Sequence, residues 1–171
     1  MPEFSKEIVA AIAKTFTECD ISYHYNGDGA FKLPFAPEED GKNICLLVVT
    51  ETDFMVFNPC YEELDPTNTR LVNRVCQYLH RCNNGIKNGC FEFDMDIGAI
   101  QYKTYVNCED GLPNSGAIQN ALFTSLSMVD CYYPGLLDVI HNKKTPEQAW
   151  MDCENRYDDE SPVLPNNHNL S

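Results

Sequence analysis

The strongest constraint on the fold is a pair of alternating stretches separated by a tight turn. In residues 91–95 and 100–106, apolar side chains alternate with polar ones, which is the pattern of β-strands with one buried face. Asp96, Ile97 and Gly98 lie between the two stretches, and Gly tolerates the positive φ angles of a short turn. The pattern predicts an antiparallel hairpin, whose apolar face has to pack against other elements.

Four more strands are predicted upstream of this hairpin, at residues 21–25, 30–35, 44–50 and 54–57. The third of them is a continuous apolar run with β-branched residues, so we expect it inside the sheet. Pro34 cannot donate a backbone hydrogen bond, which confines the second strand to a sheet edge or limits Pro34 to a strand end.

Helical spacing of apolar residues marks four other segments. The first begins near Phe4, and the second is predicted to open at Asp65-Pro66 and to end at residues 83–85. The third runs into Pro134-Gly135, where we expect a kink or a break. The last starts at a capping-box sequence in residues 145–148.

This order of elements predicts an α+β fold, with a mostly antiparallel sheet and helices packed on one face. The chain of 171 residues, 43% of them apolar, is long enough for one sizeable core. We therefore predict a single domain over residues 1–156. Residues 157–171 are acidic and rich in Pro and Asn, and we expect them to be a disordered tail.

The net charge of −14 disfavours nucleic acids and anionic membranes as partners, because binding to either begins with Lys and Arg neutralising phosphates. The opening residues carry charges of both signs, unlike a secretory signal, and the longest apolar run is too short to span a membrane. We expect a cytoplasmic protein with no membrane segment.

The nine cysteines are predicted to be thiols rather than disulfides or metal ligands. Their number is odd, none forms a C-x-x-C pair, and a cytoplasmic location would keep them reduced. No glycine pattern typical of nucleotide binding is present either. The sequence therefore indicates no cofactor.

Several segments together resemble the YbjN family over residues 4–150. They are Cys82-Asn83-Asn84, the hairpin at 89–102, Tyr132-Tyr133-Pro134, Leu137-Asp138-Val139-Ile140 and Thr145-Pro146-Glu147-Gln148-Ala149. The resemblance implies a fold similar to type III secretion chaperones, which are small acidic proteins, commonly homodimers, that bind segments of other proteins. Some family members are described as sensory transduction regulators. The resemblance thus implies a non-enzymatic protein-binding, chaperone-like or regulatory module, compatible with a homodimer.

The alternative is a small metal- or thiol-dependent enzyme. Glu92, Asp94 and Asp96 alternate along the predicted hairpin strand, so their carboxylates would share one face and could hold a divalent cation or act as acid and base. A reactive cysteine paired with a histidine would be the thiol-dependent version. Strand alternation alone also explains the three acids as a solvated face. We expect no enzyme activity.

For the protein-binding interpretation, Tyr132, Tyr133 and Trp150 are the candidate contact residues, because aromatic side chains are enriched in interface hot spots. The competing interpretation is that the same three residues pack in the core between the last helices and the sheet. An extended partner segment could instead add to a free sheet edge, such as that of the strand containing Pro34.

Overall fold

The computed structural model describes residues 3–34, 44–60 and 64–160, with side chains described as far as residue 156. In chain order, the elements are α1 (Lys6–Glu18), β1 (His24–Tyr25), β2 (Ala30–Pro34), β3 (Ile44–Val49), β4 (Asp53–Cys60), α2 (Thr69–Cys82), β5 (Cys90–Phe93), β6 (Ile100–Asn107), α3 (Ser115–Ile140) and α4 (Pro146–Glu160). Helix, strands, helix, hairpin and helices therefore follow one another as the periodicity predicts.

The strands form one six-stranded sheet in the order β1-β2-β3-β4-β6-β5, with every neighbouring pair antiparallel. The apolar run of β3 lies inside the sheet, between β2 and β4, which confirms its predicted position. Pro34 is the last residue of β2, where its missing N–H costs no ladder hydrogen bond. The α+β class and the antiparallel sheet are confirmed.

The helices cover one face of the sheet, and two groups of buried side chains fill the space between them. One group lies among α1, β2, β3, β4 and the first half of α3. The other lies among α2, β5, β6, the second half of α3 and α4. On the opposite face, Leu46, Val48, Met55 and Phe57 are partly exposed.

Two buried polar side chains fix α3 on the central strands. Thr104 of β6 donates its hydroxyl to the carbonyl of Ala121 at 3.1 Å, and Asn58 of β4 donates its amide to the carbonyl of Ser125 at 3.1 Å. Each such bond contributes about 0.5–1.5 kcal/mol, and a buried donor left without a partner would cost more. The bonds therefore set the position of α3 along the sheet as well as stabilising it.

Two helix boundaries differ from the sequence prediction. Helix α2 begins after Asn68, whose side chain accepts from the backbone N–H of Leu71 at 3.2 Å, while Asp65 accepts from Thr67 in a preceding turn. The predicted opening at Asp65-Pro66 is therefore wrong. Helix α3 continues through Pro134 to Ile140, so a break at that residue is wrong too. Buried side chains of α3 before and after Pro134 pack in the core, and this packing outweighs the one backbone hydrogen bond that Pro134 cannot donate.

The start of α4 confirms the capping box. The Thr145 hydroxyl accepts from the backbone N–H of Gln148 at 3.2 Å, and the Gln148 side chain accepts from the backbone N–H of Thr145 at 3.3 Å. The helix continues to Glu160, four residues into the predicted tail, and residues 161–171 of that tail lie outside the described residues.

Helices long and apolar enough to cross a membrane do not occur within the described ranges.

Candidate functional site

The three acids proposed for a metal or catalytic site do not share one strand face. Only Glu92 lies on β5, where its carboxylate pairs with Lys103 and accepts from Gln101 at 3.2 Å. Asp94 follows the end of the strand, and its carboxylate accepts from the backbone N–H of Asp96 at 2.9 Å within the turn. No cluster suited to a metal ion occurs among the described side chains. The predicted common face is therefore wrong.

Buried cysteines are poor nucleophiles in this fold. Burial raises the pKa of Cys45 and of Cys60 to about 12, and it also raises the pKa of Cys82. The thiolate is the reactive form, so these three side chains remain unreactive thiols near neutral pH. Their packing among apolar side chains accounts for their presence without a thiol-dependent reaction.

The three aromatic candidates gather around the core group shared by α2, α3 and α4. Tyr132 is buried there, and its hydroxyl donates to the carboxylate of Glu154. Tyr133 and Trp150 are partly buried against the same group. Tyr132 thus fits the core interpretation, whereas Trp150 lines a cavity at the end of α2.

The sheet edges offer little room for an added strand. The strand containing Pro34 is not an edge strand, because β1 pairs with it at Phe31 and Lys32, so the proposed edge is reduced to the last residues of β2. At the other end, Asn83 occupies the outer side of β5. Its amide donates to the carbonyl of Phe91 at 2.9 Å and accepts from the N–H of Phe91 at 2.7 Å. Covering an edge strand in this way hinders its pairing with a strand of another chain.

A cavity of about 570 Å³ lies at the C-terminal end of α2 and is the candidate functional site. Trp150 forms its wall on the α4 side, and the remaining lining comes from α2 and the turn that follows it. Those lining residues are Gln77, His80, Arg81, Asn83, Asn84 and Gly85. We call this space the Trp150 cavity.

Arg81 ties the two sides of the Trp150 cavity together. Its guanidinium carbon lies 6.0 Å from the centre of the Trp150 ring, within the range of a cation–π interaction. The same guanidinium lies 3.7 Å from a carboxylate oxygen of Glu147, one turn before Trp150 on α4. The guanidinium therefore lies against the indole ring and links it to α2, so the aromatic wall is formed before any ligand arrives.

Close packing of three helices places Trp150 next to α2. At Gly135 of α3, an added Cβ would lie 2.3 Å from the Tyr78 hydroxyl and 2.7 Å from the Cys153 sulfur. The absence of that carbon lets α2 and α4 approach α3, and the Tyr78 hydroxyl donates to the carbonyl of Tyr132 at 2.6 Å. The sequence signal for this arrangement is Gly135, which the local sequence alone marks only as part of a helix kink or break.

The lining suits a polypeptide side chain better than a reaction. Indole and aliphatic carbon atoms offer apolar contact, while Gln77, Asn84 and Arg81 supply hydrogen-bond donors around the rim. Sites that bind side chains of other proteins combine an aromatic anchor with a polar rim in this way.

No protein-family model matches the sequence, and no curated protein matches it either. Among solved structures, YbjN from E. coli, a proposed transcription regulator, superposes with a TM-score of 0.53 at 10% sequence identity. The match covers 79% of this chain and 90% of YbjN. An uncharacterised protein from Methanothermobacter thermautotrophicus gives a TM-score of 0.44 at 11% identity, covering 88% of this chain and 99% of that one. The chain therefore has a YbjN-like α+β fold.

Proposed function

We propose that this protein is a non-enzymatic binding module that receives a segment of a partner protein in the Trp150 cavity. The observation that carries the proposal is the preformed aromatic wall, with Trp150 held by Arg81 beside an open cavity of about 570 Å³. That volume suits a few side chains of an extended segment or of one helical turn. Trp and Arg are both among the residue types enriched in protein-binding hot spots.

Three features support binding rather than catalysis. The Glu92 carboxylate is engaged in an ion pair with Lys103, and the Asp94 carboxylate accepts hydrogen bonds from the backbone within the turn. The buried thiols have raised pKa values. The YbjN-like fold is that of a protein described as a proposed regulator, and regulators act through partners. We retain cytoplasmic location and a homodimer as parts of the proposal, and native mass spectrometry would give the subunit number.

The proposal predicts that truncating Trp150 weakens binding while leaving the fold intact. Random peptides displayed on phage should yield binders to the full chain, and because Trp150 is the only tryptophan, their binding should shift its fluorescence emission. Trp150→Ala should weaken the selected peptides at least about tenfold by titration calorimetry, as expected for a hot-spot aromatic residue. Trp150→Phe should retain part of the affinity.

Met151→Ala is the matched control, because Met151 is the next residue of α4, is 49% exposed and does not line the cavity. It should bind the selected peptides as the unchanged protein does. Selected peptides that leave the Trp150 emission unchanged and bind equally to Trp150→Ala would overturn the proposal, as would a selection that enriches nothing. Circular dichroism of each variant checks that the fold is unchanged.

A further inference from the structure

A second recess lies on the same side of α2 as the Trp150 cavity, nearer the start of the helix. It has a volume of about 290 Å³ and lies between α2, the connection from α3 to α4, and the first turn of α4. Four of its lining side chains are cationic: Arg70, Arg74, Lys143 and Lys144. We call it the basic recess.

This concentration of positive charge contrasts with the rest of the chain. The protein has 26 acidic residues and 12 Lys and Arg together, yet residues 66–91 contain no Asp or Glu. The connection at 141–145 contains none either. Helix α2 and this connection meet in the fold, so the local charge of the basic recess is opposite in sign to the net charge.

The charges of the basic recess differ in how far they are already neutralised. Lys144 lies 2.8 Å from a carboxylate oxygen of Asp138 and 2.9 Å from one of Asp152, and both pairs raise its pKa. Arg70 and Lys143 are exposed, and neither lies within ion-pair distance of a carboxylate of the described residues, although the pKa of Asp138 is lowered by Lys144 and also by Lys143. Arg70 and Lys143 are available to an incoming anion.

Arg74 has a structural part in the basic recess. Its guanidinium donates to the side-chain oxygen of Asn142 and, at 2.7 Å, to the backbone carbonyl of Lys144. Both bonds hold the connection that carries Lys143 beside α2. The N-terminal end of α4 also points its positive dipole towards this region, which adds to the attraction for an anion.

The basic recess and the Trp150 cavity lie along one stripe of α2. Arg70, Arg74, Gln77 and Arg81 recur at intervals of three and four residues, which places them on the same face of α2. The rise of an α-helix separates Arg74 from Arg81 by about 10 Å. An extended chain covers that distance in about three residues.

We propose that the partner segment is acidic, with an Asp or Glu side chain in the basic recess about three or four residues from the apolar side chain in the Trp150 cavity. This inference rests on the proposed function and specifies its partner. Glu147 lies between the two sites and pairs with Arg81. An acidic segment that passes over α2 would therefore compete with Glu147 for the Arg81 guanidinium.

Synthetic peptides of about ten residues test the spacing. One series carries a single Trp or Leu anchor and one Glu, which is moved along the peptide, and a second series carries Gln in place of Glu. Binding to the full chain should be strongest with Glu three or four residues from the anchor, by about two- to fivefold over the Gln peptide. The preference should shrink as salt is raised, because the contacting charges are partly exposed.

The variant Arg70→Gln with Lys143→Gln should erase the advantage of the Glu peptide and leave the binding of the Gln peptide unchanged. Lys6→Gln with Lys14→Gln is the matched control, because it changes the net charge from −14 by the same two units. Lys6 and Lys14 lie on α1, which packs on the other group of buried residues. The control variant should still bind the Glu peptide more tightly than the Gln peptide. Glu147→Gln should strengthen binding of the Glu peptide, since Arg81 is released.

Failure of this inference is distinguishable from failure of the proposed function. Equal binding of Glu and Gln peptides, with both still lost in Trp150→Ala, would overturn the acidic segment and keep the Trp150 cavity as a binding site. A phosphoserine peptide that binds more than about tenfold better than the Glu peptide would also overturn the inference, because it would assign the basic recess to phosphoryl groups and not to Asp or Glu side chains. Peptides that bind Trp150→Ala as tightly as the unchanged protein would overturn both proposals.

Discussion

Gly98→Ala is expected to destabilise the protein by about 3–5 kcal/mol, which is a large part of the stability of a typical domain. Gly98 has a φ of +77°, a conformation that costs an Ala about 1 kcal/mol or more. The added Cβ would also lie 1.8 Å from the carbonyl oxygen of Leu64. That atom belongs to the backbone, so the chain between β4 and α2 has to move, and the bond from the Leu64 N–H to the Gly98 carbonyl at 3.0 Å is lost with it.

Gly27→Ala separates the conformational part of the destabilisation from the part caused by the steric clash. Gly27 has a similar φ of +86°, but no atom lies within 4 Å of an added Cβ. Its substitution should therefore cost only the conformational part, about 1 kcal/mol. Urea unfolding followed by circular dichroism measures both variants. Equal destabilisation by the two substitutions would show that the contact between Gly98 and Leu64 is absent in solution.

Alkaline solution is expected to unfold the protein cooperatively at about pH 10 to 11, as its buried phenols and thiols are forced to ionise. Burial raises the pKa of Tyr102 to about 12, and it also raises the pKa of Tyr78 and of Tyr132. Cys45 and Cys60 behave in the same way, each with a pKa raised to about 12.

The direction in which stability changes with pH follows from proton binding in the folded and unfolded states. Above the ordinary pKa of each group the unfolded chain loses its proton while the folded chain keeps it, so the stabilisation present below that pKa decreases as pH rises. Each group contributes about 1.4 kcal/mol per pH unit until its folded pKa is reached. Several such groups acting together are comparable with the stability of a domain, about 5–15 kcal/mol.

Urea midpoints measured from pH 8 upward, with phenolate absorbance recorded in parallel, check this expectation. Tyr78→Phe is the informative variant. It should be less stable than the unchanged protein at pH 8, because the hydrogen bond to Tyr132 is lost, but its stability should fall less steeply above pH 10. A midpoint that stays constant to pH 11 would contradict the burial of these tyrosines.

Element order was predictable because each element has a strong local period. The alternation in β6 and the four-residue spacing in α1 depend on one buried face, and the sheet supplies that face. Boundaries were less predictable where two capping residues compete, as Asp65 and Asn68 do before α2. The Asp65 carboxylate accepts hydrogen bonds from Thr67 in a turn that follows Leu64. Leu64 itself contacts Gly98, and the local sequence does not reveal this long-range contact.

The candidate site was predictable only in part. Trp150 was identified from its residue type, but its partner Arg81 lies 69 positions earlier and meets it only because α2 and α4 pack side by side. Tyr132 has the same aromatic character and is buried instead, since its position on α3 faces the core. The basic recess had a signal in the absence of acids from residues 66–91, although residues 143 and 144 join it only in the folded chain.

Amide NMR shifts on adding a selected peptide test the central claim most directly, because they locate the bound segment without assuming its sequence. Binding along the described surface predicts that the perturbed amides lie in residues 70–85 and 143–150, with those of β3 and β4 unchanged. Perturbations confined to β3 and β4, or to the end of β2 at Leu33, would contradict a site between α2 and α4 and would place the partner on the sheet.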